Sequence, residues 1–270
     1  MQRTLLLLAL SASLACSCKA QNAEGMGGAT TPAAQGDSAA SPIQRETKSV
    51  EPIFAITEVA SFNEPWAMTF LPDGRLLVTE KHGALKVVQP GGSIGDVSGV
   101  PKVVYAGQGG FGDIALHPRF AENGLVYFSY VEGDNGHSGA AVARAKLTLD
   151  DKGGGALSSP EVIWRQEPKM TGSGHFGHRI VFGSDGKLWI SSGERQEFTP
   201  AQDLSGNLGK IVRLNDDGSI PPDNPYADRG GVTAQIWSMG HRNPLGLAWD
   251  AKGQLWEIEM GPQGGDELNL

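Results

Sequence analysis

Only two cysteines occur in the 270 residues, Cys16 and Cys18, both within the first eighteen positions. The rest of the chain therefore has no disulfide framework and no thiol chemistry. Basic residues are outnumbered, 22 Lys and Arg against 30 Asp and Glu for a net charge of −8, and no basic stripe interleaves with aromatics. That balance argues against nucleic acid as a partner. HExxH and clustered CxxC motifs are missing, and no P-loop or dinucleotide fingerprint follows a strand and opens a helix. A nicotinamide enzyme of the doubly wound type is therefore not indicated. The apolar run from Leu5 to Leu14 is too short to cross a bilayer as a helix.

What is abundant is turn chemistry: 38 glycines and 16 prolines with 19% charged residues, the composition of a turn-rich, all-β protein. One positive charge, the apolar run and then small residues give residues 1–18 the pattern of a secretory signal. Within it "SLAC" resembles a bacterial lipobox with Cys16 as the lipidated residue, so the expected location is periplasmic, with a lipid anchor to the membrane or, after simple cleavage, without one. Residues 19–50 are small, polar and poor in aliphatics. They cannot bury enough surface to offset ordering entropy, and read as a tether.

From residue 51 onward the chain repeats one pattern. "PWAMTFLPDGRLLVTE", "GDIALHPRFAENGLVYFSY", "HRIVFGSDGKLWISSGE" and "PLGLAWDAKGQLWEIE" each read as a short apolar strand, a turn closed by glycine and a second apolar strand. The turn glycines are Gly74, Gly124, Gly186 and Gly253, spaced far enough apart for a four-stranded sheet with loops. Self-similarity of this kind predicts the blades of a β-propeller, with about four present in residues 51–270.

The repeat also predicts where a site lies, because the start of the first strand and the end of the second share one end of a hairpin. Eleven residues before the turn glycine stand Asn63, His175 and Arg242, and the longer second turn puts Gln108 in the same place. Gln108, His175, Arg242 and Asn243 should then converge on one mouth of the channel. Glu194 should return beside His175, and Gly261 and Pro262 beside Arg242. A histidine backed by a carboxylate is a general base near neutral pH; a turn histidine capping backbone groups is the alternative. Arg242 and Asn243 offer a fork of donors and an amide, fit for a carboxylated or quinonoid ligand, or else a plain surface turn. The "GPQGGDE" bend exposes carbonyls that could ligate calcium, with Asp266 or Glu267 as carboxylates, or is a simple glycine turn. His178, just inside a strand, reads as structural or solvent-facing.

Five collinear motifs decide between these readings. "GQGGFGDIALHPRF", "GHFGHRIVFGSDGKLWISSGE", "LGKIVRLNDDGSIPPDNPY", "IWSMGHRNPLGLAWD" and "EMGPQGGDELNL", spread over about residues 55–270, closely resemble the soluble quinoprotein glucose/sorbosone dehydrogenases, particularly the periplasmic aldose sugar dehydrogenases. The resemblance implies a six-bladed propeller that holds pyrroloquinoline quinone (PQQ) with Ca2+ over the channel mouth. It implies oxidation of an aldose at the anomeric carbon to a lactone by hydride transfer, with electrons passed to a periplasmic quinone or cytochrome. Residue by residue, His175 matches the base and Glu194 its supporting acid. Gln108 matches a glutamine beside the cofactor, and Arg242 with Asn243 the pair that contacts quinone and sugar. Gly261 and Pro262 match the carbonyls that hold the cofactor's calcium, and Glu267 resembles a ligand of a second, structural calcium.

Two departures stand beside that match. The sequence stops at "DELNL" after four repeats, where a six-bladed ring needs roughly a hundred residues more to close its exposed edges; the chain is expected to be an N-terminal portion, inactive alone. His178 stands where relatives usually carry a small residue, and is expected to tune the base or narrow the sugar pocket. Competing readings are a calcium-dependent propeller lactonase, which predicts several carboxylates at the mouth, and a non-enzymatic propeller that binds sugars or a protein.

Overall fold

The computed structural model describes residues 54–270, of which Ile56–Leu270 form one compact unit. The leader, lipobox and tether expected from the sequence lie outside the described residues. Fifteen strands follow one another with little helix. β1 (Pro65–Phe70), β2 (Leu76–Glu80), β3 (Ala84–Val88) and β4 (Ile94–Ser98) form a first antiparallel blade. β5 (Phe111–Leu116), β6 (Leu125–Asp134), β7 (His137–Leu149) and β8 (Gly155–Arg165) form the second. β9 (Gly177–Phe182), β10 (Leu188–Ser192), β11 (Lys210–Leu214) and β12 (Ile236–Met239) make the third, and β13 (Pro244–Trp249), β14 (Leu255–Glu259) and β15 (Glu267–Asn269) a three-stranded fourth. The first two blades join along their outer strands through a short parallel bridge, Val97 and Ser98 against Gly155 and Ala156. The protein is a β-propeller, and β1, β5, β9 and β13 pack side by side as its inner strands.

The repeated hairpins are the inner two strands of each blade. Their turn glycines all sit at positive φ, the conformation a side chain resists. In the second repeat the longer turn coils into one helical turn, α1 (Phe120–Asn123), closed by Gly124 in the left-handed conformation. Strands between two blades are buried on both faces, which explains runs such as "LVYFSYV". Val126, Phe128 and Tyr130 of β6 face the core shared with the first blade, and Tyr127 and Val131 face the third. Between the third and fourth blades Trp189 packs edge-on against Trp237 and Trp249, with centroids 4.9 and 5.5 Å away.

A hydroxyl stitches each blade to the next. β1–β2, β5–β6 and β9–β10 all slip register at the same end of the hairpin. There Thr79, Ser129 and Ser191 accept the N–H of Ala67, Asp113 and Arg179 on their own inner strands. Thr79 then donates to the Gly112 carbonyl of the second blade, and Ser191 to the Pro244 carbonyl of the fourth. Ser129 has His178 Nδ1 as its partner, at 2.8 Å.

Candidate active site

The channel mouth is built from loops that precede the inner strands. His175 and His178 flank the entry to β9, both at positive φ, as are Arg195, Gln196 and Phe198 in the loop that follows β10. Non-glycine residues held in that region cost ~1–3 kcal/mol each and cluster at functional sites. The two loops touch closely. A Cβ on Gly193 would lie 2.1 Å from the His175 carbonyl oxygen, so only glycine lets them meet.

His175 and Glu194 are both buried, 3% and 1% exposed. His175 Nδ1 contacts Glu194 Oε1, while Oε2 of the same carboxylate accepts the N–H of Phe198 at 2.6 Å. The carboxylate is thus held from two sides, and with Nδ1 engaged the ring offers Nε2. Gln108 joins them from the second blade, its Oε1 accepting the His175 N–H at 2.7 Å. From the fourth blade, Asn243 Oδ1 accepts the Gly177 N–H at 3.1 Å, and the Arg242 carbonyl accepts the Glu194 N–H at 2.8 Å. Gln108, His175, Glu194, Arg242 and Asn243 are therefore brought together from three blades as their register predicts.

Gly261 and Pro262 follow β14 after Met260, beside that group: Arg242 Nη1 donates to the Met260 carbonyl at 3.0 Å. The bend is tight, because a Cβ on Gly261 would lie 2.3 Å from the Gly265 oxygen and 2.4 Å from that of Gly264. Asp266 Oδ1 accepts the Gly261 N–H at 2.9 Å. The Gly261 and Pro262 carbonyls accept no hydrogen bond among the described residues. Glu267 lies apart from the histidine. It opens β15 opposite Glu259, with an exposed side chain whose contact is Asn269 Nδ2, 3.1 Å away. Among the described residues it belongs to no group of three His, Cys, Asp or Glu donors.

His178 is buried, so the solvent-facing alternative does not hold. Its ring stacks on Trp66 of the first blade at 4.9 Å and packs against Gly112, where a Cβ would lie 2.1 Å from Cε1. Burial, reinforced by the positive charges of Arg179 and Arg195, pushes its pKa down to about 3. The ring is therefore neutral. Ser129 Oγ, which accepts the Asp113 N–H, also pairs with His178 Nδ1 at 2.8 Å. His178 also lines a cavity of about 310 Å³ together with Gln108, Asn243, Trp66 and Lys81.

Three charged residues that matter here were not among the site residues read from the sequence. Arg195 is buried, and its guanidinium donates to the carbonyls of Gly174 at 2.9 Å, Gly172 at 2.8 Å and Ser138, while lying 3.8 Å from the Phe176 ring. It fixes the loop that carries His175, and burial lowers its pKa to about 10. Asp113 accepts the Ile180 N–H at 2.9 Å across the seam between second and third blades. Burial pushes its carboxyl above the usual range against the pull of Arg179 and two amides. An acid inside the apolar strand "FGDIAL" is the one sequence signal that could have found it. His241 lies beside Glu257 and Glu259; burial opposes its charge, but the two carboxylates prevail and raise its pKa to about 9.

The residues also suit the group that the motif resemblance implies. Arg242 Nε is buried without a partner, an unspent donor adjoining Asn243, which matches an anionic, carbonyl-rich ligand such as PQQ. The two unengaged carbonyls offer hard oxygen donors of the kind calcium takes.

Comparison with known proteins shows which family the chain is similar to. The glucose/sorbosone dehydrogenase family profile matches residues 62–270. The aldose sugar dehydrogenase YliI of Escherichia coli is 43% identical over 212 residues, covering 77% of this chain and 56% of that protein. Quinoprotein glucose dehydrogenase B of Acinetobacter calcoaceticus is 31% identical over 238 residues, 78% of this chain and 49% of the other. Among solved structures, the PQQ-bound aldose sugar dehydrogenase of Streptomyces coelicolor superposes with a TM-score of 0.70 at 33% identity, over 79% of this chain and 62% of that one. The chain spans about half the length of the curated relatives it matches.

Proposed function

Because the chain belongs to the glucose/sorbosone dehydrogenase family, we propose that the full-length protein oxidises aldose sugars at the anomeric carbon to lactones, with PQQ and Ca2+ as cofactors. PQQ, when bound, supplies the two-electron acceptor for hydride from that carbon. His175 takes the anomeric hydroxyl proton at Nε2. Glu194, fixed by its second oxygen on the Phe198 amide, holds the Nδ1 proton and stabilises the imidazolium that forms. Gln108 and Arg195 keep the His175 loop in place. Arg242 and Asn243 face quinone and sugar, and the Gly261 and Pro262 carbonyls would hold the cofactor's Ca2+. Glu267 is assigned to a second, structural Ca2+. His178, neutral and wedged between three blades, narrows the pocket. Electrons pass to a periplasmic quinone or cytochrome, from a protein exported and anchored through Cys16. The 270 residues alone are proposed not to sustain turnover.

The buried His175–Glu194 pair, reached by Gln108 and Asn243 from neighbouring blades, is the observation that supports this reading most. The test is reconstitution of the full-length protein with PQQ and Ca2+, followed by dye reduction over a panel of aldoses. His175→Ala should lower kcat by about 10²–10⁴-fold while PQQ still binds. Failure of the wild type to bind PQQ in calcium would sink the proposal, and an active His175→Ala would remove the base.

A further inference from the structure

We propose that His241, Glu257 and Glu259 form a site for one divalent transition ion of the zinc class, separate from the channel mouth. Glu257 and Glu259 alternate on β14 and so present their side chains to one face of the strand. His241, in the turn after β12, meets both. Its Nδ1 lies 3.4 Å from Glu257 Oε1 and 3.5 Å from Glu259 Oε1, and the three donor atoms are all within 4.8 Å of one another.

The remaining atoms of the same side chains are tied outward. His241 Nε2 pairs with Ser238 Oγ at 2.6 Å, Glu257 Oε2 accepts Asn269 Nδ2 at 3.2 Å, and Glu259 Oε2 accepts the backbone N–H groups of Arg242 and Asn243. The inward atoms are left over. His241 Nδ1 and Glu257 Oε1 are buried and have no hydrogen-bond partner, although they face each other, and Glu257 is only 4% exposed. An imidazole donating to a carboxylate closes to about 2.7–2.9 Å. Donors bonded to tetrahedral zinc at about 2.0–2.2 Å stand about 3.4 Å apart, close to the 3.4 and 3.5 Å from His241 Nδ1 to the two carboxylates. A zinc ion there would take the place of the proton that the two carboxylates favour on the ring.

The donor set of one imidazole and two carboxylates suits zinc better than calcium, which gathers six to eight oxygens. The outward bonds do what the outer partners of a metal ligand do: they fix the ring's orientation and each carboxylate's. A cavity of about 400 Å³ lined by His241 and Glu257 with Trp189, Trp237 and Trp249 adjoins the three side chains. A bound ion would clamp the "GHRN" segment to β14, and with it the backbone of Arg242 and Asn243, which already rests on Glu259.

The experiment uses the untagged full-length protein with Cys16 and Cys18 changed to serine, stripped with chelator and returned to calcium-containing buffer. CoCl2 and then ZnCl2 are titrated in. One cobalt per chain should bind with the intense visible absorption of four-coordinate Co2+, and zinc should displace it. Glu257→Gln and His241→Gln should each abolish the colour and weaken zinc at least about tenfold, with circular dichroism unchanged. Should one variant fail to fold, the other carries the comparison. No cobalt bound by the parent protein, or colour kept in either folded variant, would overturn the proposal.

Discussion

His178 shows how burial sets a single residue's chemistry. With its folded pKa depressed to about 3 from the ordinary 6.5, the native state resists taking a proton that the unfolded chain accepts. The stability this neutral ring contributes is fully present above the unfolded pKa and is lost as pH falls from about 6.5 toward 3. Below pH 6 the slope is at most about 1.4 kcal/mol per pH unit. Urea unfolding at pH 7 and pH 5 should show the wild type losing more stability than His178→Gln; equal losses would mean that the ring is not held neutral. That His178 is not a second base could be suspected from its place in the strand. That it is buried could not, because the enclosing groups, Trp66, Gly112 and Ser129, come from two other blades.

At the scale of elements, the recurrent hydroxyl is the device that makes hairpins into a propeller. Thr79, Ser129 and Ser191 each occupy one register position, next to the residue that pairs with the start of the inner strand. Ser191→Ala would strand the Arg179 N–H and the Pro244 carbonyl at once. A loss of about 1–3 kcal/mol in unfolding free energy is expected, with the far-UV spectrum unchanged; a change within experimental error would show that water replaces the hydroxyl. The hairpins themselves were legible, since strand, glycine turn and strand alternate in plain view. The stitch was not, because its acceptors belong to the next repeat. The fourth repeat carries Ile258 where the others carry hydroxyls, so the pattern is not uniform enough to read as a motif.

Across the whole molecule, Arg179 gathers all four blades. Its guanidinium lies 4.1 Å from the Trp66 ring of the first, 3.4 Å from Asp113 of the second, and donates to the Leu245 carbonyl of the fourth at 2.7 Å. Arg179→Ala leaves the buried Asp113 carboxylate without its counter-charge, and should cost ~2–3 kcal/mol. Breaking the exposed Lys86–Asp96 pair should cost no more than ~1 kcal/mol. Thermal unfolding of the two variants side by side decides this, and equal shifts would mean that the central arginine is solvent-screened like a surface one.

The sequence by itself determined the all-β repeat, the turns, and the end of each hairpin at which polar residues gather, because glycine spacing and apolar alternation are local properties of the chain. It also placed Gln108, His175, Glu194, Arg242 and Asn243 at one mouth, since equivalent positions in a repeat meet when the blades are set side by side. Only the tertiary structure decided which side chains bond there. Arg195 on three carbonyls, Asp113 across a seam, and His241 against two glutamates are contacts between segments far apart in sequence or folded back by a loop. Their geometry is fixed by how neighbouring blades pack, and no local pattern encodes it.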